Sequence, residues 1–378
     1  MDRDGPAFGI YIHWPFCKAK CPYCDFNSHV AREIDHVAWR EALRTALARQ
    51  RGTMAPQRVT SIFFGGGTPS LMEPATVGAL IDDVARLFPC ADDLEITLEA
   101  NPTSVEAERF AGFARAGVNR VSIGVQALDD AALTFLGRQH NTAEALDAVA
   151  LARKTFARMS FDLIYARPQQ TPEQWAGELD AALALAPDHL SLYQLTIEPG
   201  TAFGDLYARG RLETMDDDRA ADLYIATQEI CASAGLPAYE VSNHARPGAE
   251  CRHNLVYWRY FNYLGIGPGA HGRVEGRATV SLRDPKGWLG DVAGGGDGTE
   301  SDTPLSRDDL ATEYLLMSLR LSEGSSLARF AALKGAPVSP ARTGALVEAA
   351  LLEIDGDRIR ASDNGRLVLN RVIAQLLD

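Results

Sequence analysis

Along the chain, short runs rich in β-branched and aromatic residues alternate with longer stretches whose apolar positions return every three or four residues. The first kind reads as strand and the second as amphipathic helix, and their alternation predicts parallel βαβ units. Strands are expected at residues 8–13, 59–64, 94–99, 120–126, 161–165 and 189–196. Helices are expected at 34–49, 74–87, 104–116, 142–156 and 172–185. Each strand reads as apolar until its C-terminal end. There the segment around Cys17, the run Gly65-Gly66-Gly67, Glu99, Gln126 and Tyr193-Gln194 appear in turn, with Asp162 earlier in its strand. Polar groups converging from the ends of successive parallel strands are what a barrel site requires. The expected fold class is therefore α/β, a partial (β/α)6 barrel rather than an open doubly wound sheet, with its active face at that end.

After Glu198-Pro199-Gly200 the rhythm changes. A helix at 215–234 precedes a strand at 239–242 and a stretch rich in glycine and aromatic residues at 254–272. Residues 287–303, which include Gly294-Gly295-Gly296-Asp297-Gly298, read as a flexible linker. Helices at 308–321, 327–333 and 341–353 then lead into 359–369, read as a hairpin turning at Asn364-Gly365. The organisation expected is a barrel over 1–200, an extension over 201–286, a linker over 287–305 and an α+β domain resembling a winged helix over 306–378. Composition limits what these parts serve. The 37 Lys+Arg against 50 Asp+Glu give a formal net charge of -13, which repels phosphate backbones and argues against nucleic acid as the main partner. The winged-helix-like part is accordingly read as an interaction or lid module. No apolar run approaches the roughly 20 residues needed to span a bilayer, and Met-Asp-Arg-Asp-Gly-Pro lacks the order of a signal peptide. A cytoplasmic protein is expected.

Cysteine usage brings in the chemistry. Cys17, Cys21 and Cys24 fall together, whereas Cys90, Cys231 and Cys251 are scattered and read as buried hydrophobes. Neighbours so close suit a metal or cluster better than a disulfide framework. A Cys-x3-Cys-x2-Cys loop directly after the first strand can hold three irons of a [4Fe-4S] cluster and leave the fourth open to a small molecule. The alternative is structural zinc, which needs a fourth ligand such as His13 or His29.

The run Tyr11-Ile12-His13-Trp14-Pro15-Phe16-Cys17-Lys18-Ala19-Lys20-Cys21-Pro22-Tyr23-Cys24 resembles the signature of radical S-adenosylmethionine (SAM) proteins. In those proteins SAM chelates the open iron, and electron transfer cleaves it to a 5′-deoxyadenosyl radical. The Tyr-x-His-x-Pro-Phe-Cys version resembles the coproporphyrinogen III oxidase-like branch over nearly the whole chain. The resemblance implies a radical SAM barrel, with Tyr11 packed beside the cofactor and Gly66, Gly67 and Thr68 in the glycine-rich turn. It also implies that Glu99, Gln126, Arg138 and Asp162 contact the amino acid and ribose parts of SAM.

The oxygen-independent coproporphyrinogen III oxidases carry a fourth Cys two residues after the third, where this chain has Phe26, and a longer arm before Tyr11. Both departures match the sister group, the HemW-type haem chaperones, which bind haem and pass it to acceptor proteins. His253-Asn254-Leu255-Val256-Tyr257-Trp258 resembles the haem-binding motif of that group. It makes His253 the candidate haem ligand, Tyr257 and Trp258 the flat apolar surface and Cys251 a neighbouring thiolate. His13 is expected to orient the cluster loop or touch SAM, and His271 to sit in a loop over the barrel mouth. The resemblance thus implies a haem chaperone with a [4Fe-4S] cluster, SAM and haem. Its partners would be a haem-acceptor protein and a low-potential electron donor, with a homodimer as the candidate assembly. The rival readings are oxidative decarboxylation of coproporphyrinogen III to protoporphyrinogen IX and a zinc-stabilised binding module.

Overall fold

A computed structural model describes residue 5 and residues 7–185 and 187–377. The six expected strands form in sequence order as neighbours in one parallel sheet: β1 (Phe8–Trp14), β2 (Val59–Gly66), β3 (Cys90–Ala100), β4 (Arg120–Gln126), β5 (Arg158–Tyr165) and β6 (His189–Gln194). Nearly every residue of β1 is buried, as befits a strand covered on both faces. The intervening helices start where their caps dictate. Asn141 and Thr171 each close a capping box at the head of Thr142–Thr155 and Pro172–Ala184, and Pro74 opens Pro74–Leu87 at the first helical position. The expected helix over 104–116 is broken into Ser104–Ala107 and Phe110–Arg115.

The sheet stays open and is extended at both edges. Strand Asn243–Ala245 lies antiparallel to β6, in place of the strand expected at 239–242. On the other side Asn262–Ile266 runs parallel to β1, followed by antiparallel strands His271–Val274, Arg277–Ser281 and Thr299–Pro304. The expected linker over 287–305 is thereby overturned. It contains helix Pro285–Ala293 and the edge strand Thr299–Pro304. Its glycines mark close packing: Trp288 is buried and stacks on Trp39 at 5.6 Å, and a Cβ on Gly298 would strike the Trp288 indole.

A second hydrophobic core unites Leu315, Phe330, Leu346, Ile359 and Ile373 in the C-terminal domain. Its hairpin pairs Leu352–Asp355 with Arg358–Ala361 and turns at Gly356, whose φ is 56°, not at Asn364-Gly365. Residues 363–367 are helical instead, because the Ser362 hydroxyl accepts from the Gly365 amide at 3.0 Å and caps a new turn. Helix Leu369–Leu377 follows, unanticipated from the sequence. No helix among the described residues is long and apolar enough to cross a membrane.

One expectation about the strands needs correcting. Strand residues alternate faces, and the register aligns Tyr11, Phe63 and Thr97 with Arg120 and Arg158, and aligns Glu99 with Ser122 and Ser160. The face these residues share is polar along its whole length, not only at the strand ends. Glu95, Arg120, Ser160 and His189 are buried on it and need partners. They have them: Arg158 pairs with Glu95 at 2.6 Å, Arg120 donates to Ser160 at 2.7 Å, and Ser160 donates to Ser122 at 3.0 Å.

Candidate functional site

A cavity of 1290 Å³ opens at the C-terminal ends of the strands, and Cys17, Cys21 and Cys24 all line it. The cysteine loop is braced before any ligand enters. Residues Phe16–Cys17 pair with His29–Val30, and the Thr68 amide donates to the Phe16 carbonyl at 2.8 Å. His13 bridges the Tyr11 hydroxyl at 3.0 Å and the Asn27 carbonyl at 2.9 Å, which makes it the loop-orienting residue the sequence suggested. His271 begins a strand, and the turn before it clasps the loop through Asn27, which donates to the Pro268 carbonyl at 2.9 Å.

Each sulfur has its own polar neighbour. The Thr68 hydroxyl donates to Cys17 Sγ at 3.3 Å, Arg138 Nη1 donates to Cys21 Sγ at 3.3 Å, and Ser28 Oγ lies 3.9 Å from Cys24 Sγ. Hydrogen bonds to the sulfurs are a main lever on an iron–sulfur cluster. Among the described residues no three His, Cys, Asp or Glu side chains converge on a point where one metal ion could sit. Three thiols around one cavity, two of them accepting from a donor and the third beside Ser28, suit a cluster whose irons are bound one per sulfur. Burial pushes the Cys17 and Cys24 thiols up in the metal-free chain, so metal must displace protons there.

Of the residues assigned to SAM, Gly66, Gly67, Thr68, Glu99, Gln126, Arg138 and Asp162 line this cavity together. Gly66 has φ 110°, and a Cβ there would lie 2.7 Å from the His13 ring; one on Gly67 would lie 2.7 Å from the Phe16 carbonyl oxygen. These glycines clear room for the cysteine loop itself as well as for a ligand. Gln126 adopts φ 72° after a register irregularity in β4, a strained bulge that aims its side chain at the cavity. Burial, reinforced by the Asp162 charge, pushes the Glu99 carboxyl up to about 8, and burial pushes Asp162 up to about 6. Two carboxyls so placed favour a ligand that supplies hydroxyl or ammonium donors.

Two of the candidates stand outside the cavity lining. Tyr11 does not reach the cavity; it lies deeper on the inner face, hydrogen-bonded to His13 and stacked on Phe63 at 6.2 Å. His253 is 1% exposed and also away from the cavity, on helix Arg252–Trp258. Its Nδ1 is bonded to Ser61 Oγ at 2.9 Å and its Nε2 to the Tyr257 hydroxyl at 2.8 Å, so neither ring nitrogen is open to iron. Burial, with the Arg120 charge, pushes the imidazole down to about 3 and keeps it neutral. Cys251 is equally buried and faces Glu95 Oε1 at 3.5 Å. Arg138 reaches the cavity, but its Nη groups already hold Cys21, Asn101 and the Gly124 carbonyl, which makes it a brace of the cluster loop.

Tyr193 and Gln194, expected at the end of their strand, line the cavity, whereas sequence reasoning missed Asn101 and Ser122 in its wall, and also Arg320, Arg366 and Arg371 from the C-terminal domain. The inward alternation of β4 carried a signal for Ser122. None was available for Arg366 or Arg371, which lie far from any motif.

Comparison with known proteins places these features in context. The radical SAM superfamily pattern matches residues 11–182 and that of the HemN C-terminal domain matches residues 305–368. The heme chaperone HemW of Escherichia coli is 39% identical over 383 residues, spanning 98% of both chains. HemW of Mycobacterium tuberculosis is 36% identical over 99% of this chain and 95% of its own. The mitochondrial radical S-adenosyl methionine domain-containing protein 1 of Bos taurus is 39% identical over 97% of this chain and 87% of its own. Among solved structures, the coproporphyrinogen III oxidase HemN of Escherichia coli superimposes with a TM-score of 0.82 at 22% identity, covering 99% of this chain and 90% of its own. At that identity the likeness shows a shared fold.

Proposed function

The chain belongs to the family of the HemW haem chaperones within the radical SAM superfamily, and on that footing we propose that it binds haem and hands it to acceptor proteins while carrying a SAM-ligated [4Fe-4S] cluster. The observation that carries this reading is similarity at 39% identity across 98% of both chains to a haem chaperone. Phe26 supports it against the decarboxylase reading. Where coproporphyrinogen III oxidases carry a further thiol, this chain presents a phenyl ring that is 60% exposed at the cavity.

In this reading Cys17, Cys21 and Cys24 each hold one iron. The cluster supplies an iron open to SAM and the electron that cleaves it. Thr68, Ser28 and Arg138 steady the three thiolates. Glu99 and Asp162 accept from the hydroxyl and ammonium groups of SAM, Gln126 offers its amide, and the backbone of Gly66 and Gly67 forms the floor. A low-potential electron donor, a cytoplasmic setting and a homodimer belong to the same proposal.

The test is anaerobic reconstitution followed by parallel titration with haem and with coproporphyrinogen III. Stoichiometric Soret-active haem binding, transfer of that haem to an apo-haemoprotein, and no vinyl-bearing product are expected. Conversion of coproporphyrinogen III to protoporphyrinogen IX would overturn the chaperone reading in favour of the decarboxylase.

A further inference from the structure

Just after the third cysteine, Cys24, Asp25, Phe26 and Ser28 all line the cavity, and Asn27 does not. Its carboxamide engages the sheet extension instead. The amide nitrogen donates to the Pro268 carbonyl at 2.9 Å and to the Arg283 carbonyl at 3.0 Å, and Oδ1 lies 3.2 Å from His29 Nε2. Two carbonyls can only accept, so they fix which end of the carboxamide faces them and leave Oδ1 to accept from the His29 ring. The Asn27 backbone carbonyl is held as well, by His13 Nε2 at 2.9 Å. Both amide protons and both acceptor oxygens of one residue are thus engaged in holding the loop.

The extension is shaped to receive this contact. A Cβ on Gly269, whose φ is 75°, would strike the Asn27 amide nitrogen, and one on Gly267, whose φ is 106°, would strike the His13 carbonyl oxygen. Arg283 then leads into helix Pro285–Ala293, which carries Trp288 onto Trp39. Trp39 in turn meets Phe16 edge-on at 5.0 Å and Trp14 edge-on at 6.0 Å. The extension therefore grips both shoulders of the cysteine loop. Before Cys17 the grip is aromatic packing; after Cys24 it is the Asn27 carboxamide. The next residue, Ser28, places its hydroxyl 3.9 Å from Cys24 Sγ. An iron-bound thiolate can only accept, so this hydroxyl is the donor there. Hydrogen bonds weaken steeply with misalignment, and those to sulfur set a cluster's potential. Where Asn27 anchors the backbone decides how the Ser28 hydroxyl meets the thiolate.

We propose that Asn27 is a positioning residue of the cluster: by tying the loop to Pro268 and Arg283 it presets Cys24 and the Ser28 hydroxyl before iron enters, and so tunes the potential of the bound cluster. The inference rests on the reading that Cys17, Cys21 and Cys24 hold a [4Fe-4S] cluster. Asn27 touches neither the sulfurs nor the cavity, and acts through the backbone it holds.

The experiment compares the full chain with Asn27→Ala, with Gly269→Ala, which drives a methyl group into the same amide, and with the double variant. In metal-free protein the Ser28 and His29 amides, bonded to the Phe26 and Pro15 carbonyls, should exchange roughly tenfold faster in Asn27→Ala, because two hydrogen bonds that close the loop are gone. After anaerobic reconstitution, the EPR signal should change and the cluster midpoint potential should fall, as expected where a donor to sulfur is lost. Gly269→Ala should move the potential the same way, and the double variant no further than Asn27→Ala, because both act on one contact. A folded Asn27→Ala that takes up less iron than wild type meets the same expectation. If wild type holds the cluster and Asn27→Ala holds it with the same midpoint and EPR spectrum, the positioning role alone is overturned, whatever the variant does to stability. If wild type takes up no [4Fe-4S] cluster, the cluster reading fails and this inference with it.

Discussion

The buried His253 offers a sharp test, because two accounts of it predict opposite things. In the structure the ring is a core element bonded to Ser61 and Tyr257 and stacked on Phe63 at 5.0 Å. His253→Ala would leave both hydroxyls facing a void. An unsatisfied buried hydroxyl costs about 1–3 kcal/mol, and a void of that size adds about 1–2 kcal/mol. With two hydroxyls and the void, the expected loss is ~3–8 kcal/mol, present in metal-free, haem-free protein. Urea unfolding under anaerobic conditions reads it directly as a shifted midpoint with an unchanged slope. Ser61→Ala combined with His253→Ala should cost less than the sum of the two, because they share one hydrogen bond. If His253→Ala leaves the midpoint in place yet abolishes the haem Soret band, the packing argument is wrong and His253 is the iron ligand after all.

Other outcomes follow from the same geometry. Burial lowers the imidazoles of His253 to about 3 and of His140 and His244 to about 4. The unfolded chain takes up these protons first, so metal-free stability should fall as pH drops from 6.5 toward 4, as followed by urea midpoints across that range. Glu99 behaves oppositely: with its carboxyl raised to about 8, its contribution is lost as pH rises from the ordinary carboxylate range through that value. Glu99→Gln should thus stabilise the metal-free protein at pH 9 while weakening SAM binding in equilibrium dialysis; equal SAM affinity would remove Glu99 from the pocket. Arg138→Met takes a cationic donor from Cys21 Sγ and should lower the cluster midpoint potential in an EPR-monitored redox titration, with iron content retained. Gly67→Ala places a Cβ 2.7 Å from the Phe16 carbonyl oxygen. It should cost about 1–3 kcal/mol and reduce iron incorporation, measured as iron and acid-labile sulfide per chain.

By itself the sequence determined what depends on neighbours along the chain. The period of apolar positions placed the parallel strands, because each must bury both faces. The spacing of Cys17, Cys21 and Cys24 put three thiols on one loop at a strand end, and Phe26 marked the branch. Only the tertiary structure decided what depends on contact at a distance. A glycine-rich run looks the same whether it is a tether or the close packing around Trp288. A histidine among aromatics looks the same whether it faces haem or Ser61 and Tyr257, since burial and the fate of both ring nitrogens come from other strands. Arg366 and Arg371 carry no local signal. They line the cavity that the cysteines line only because the C-terminal domain folds against the barrel mouth, Arg366 from the short helix that replaces half of the expected hairpin and Arg371 from the helix Leu369–Leu377 after it.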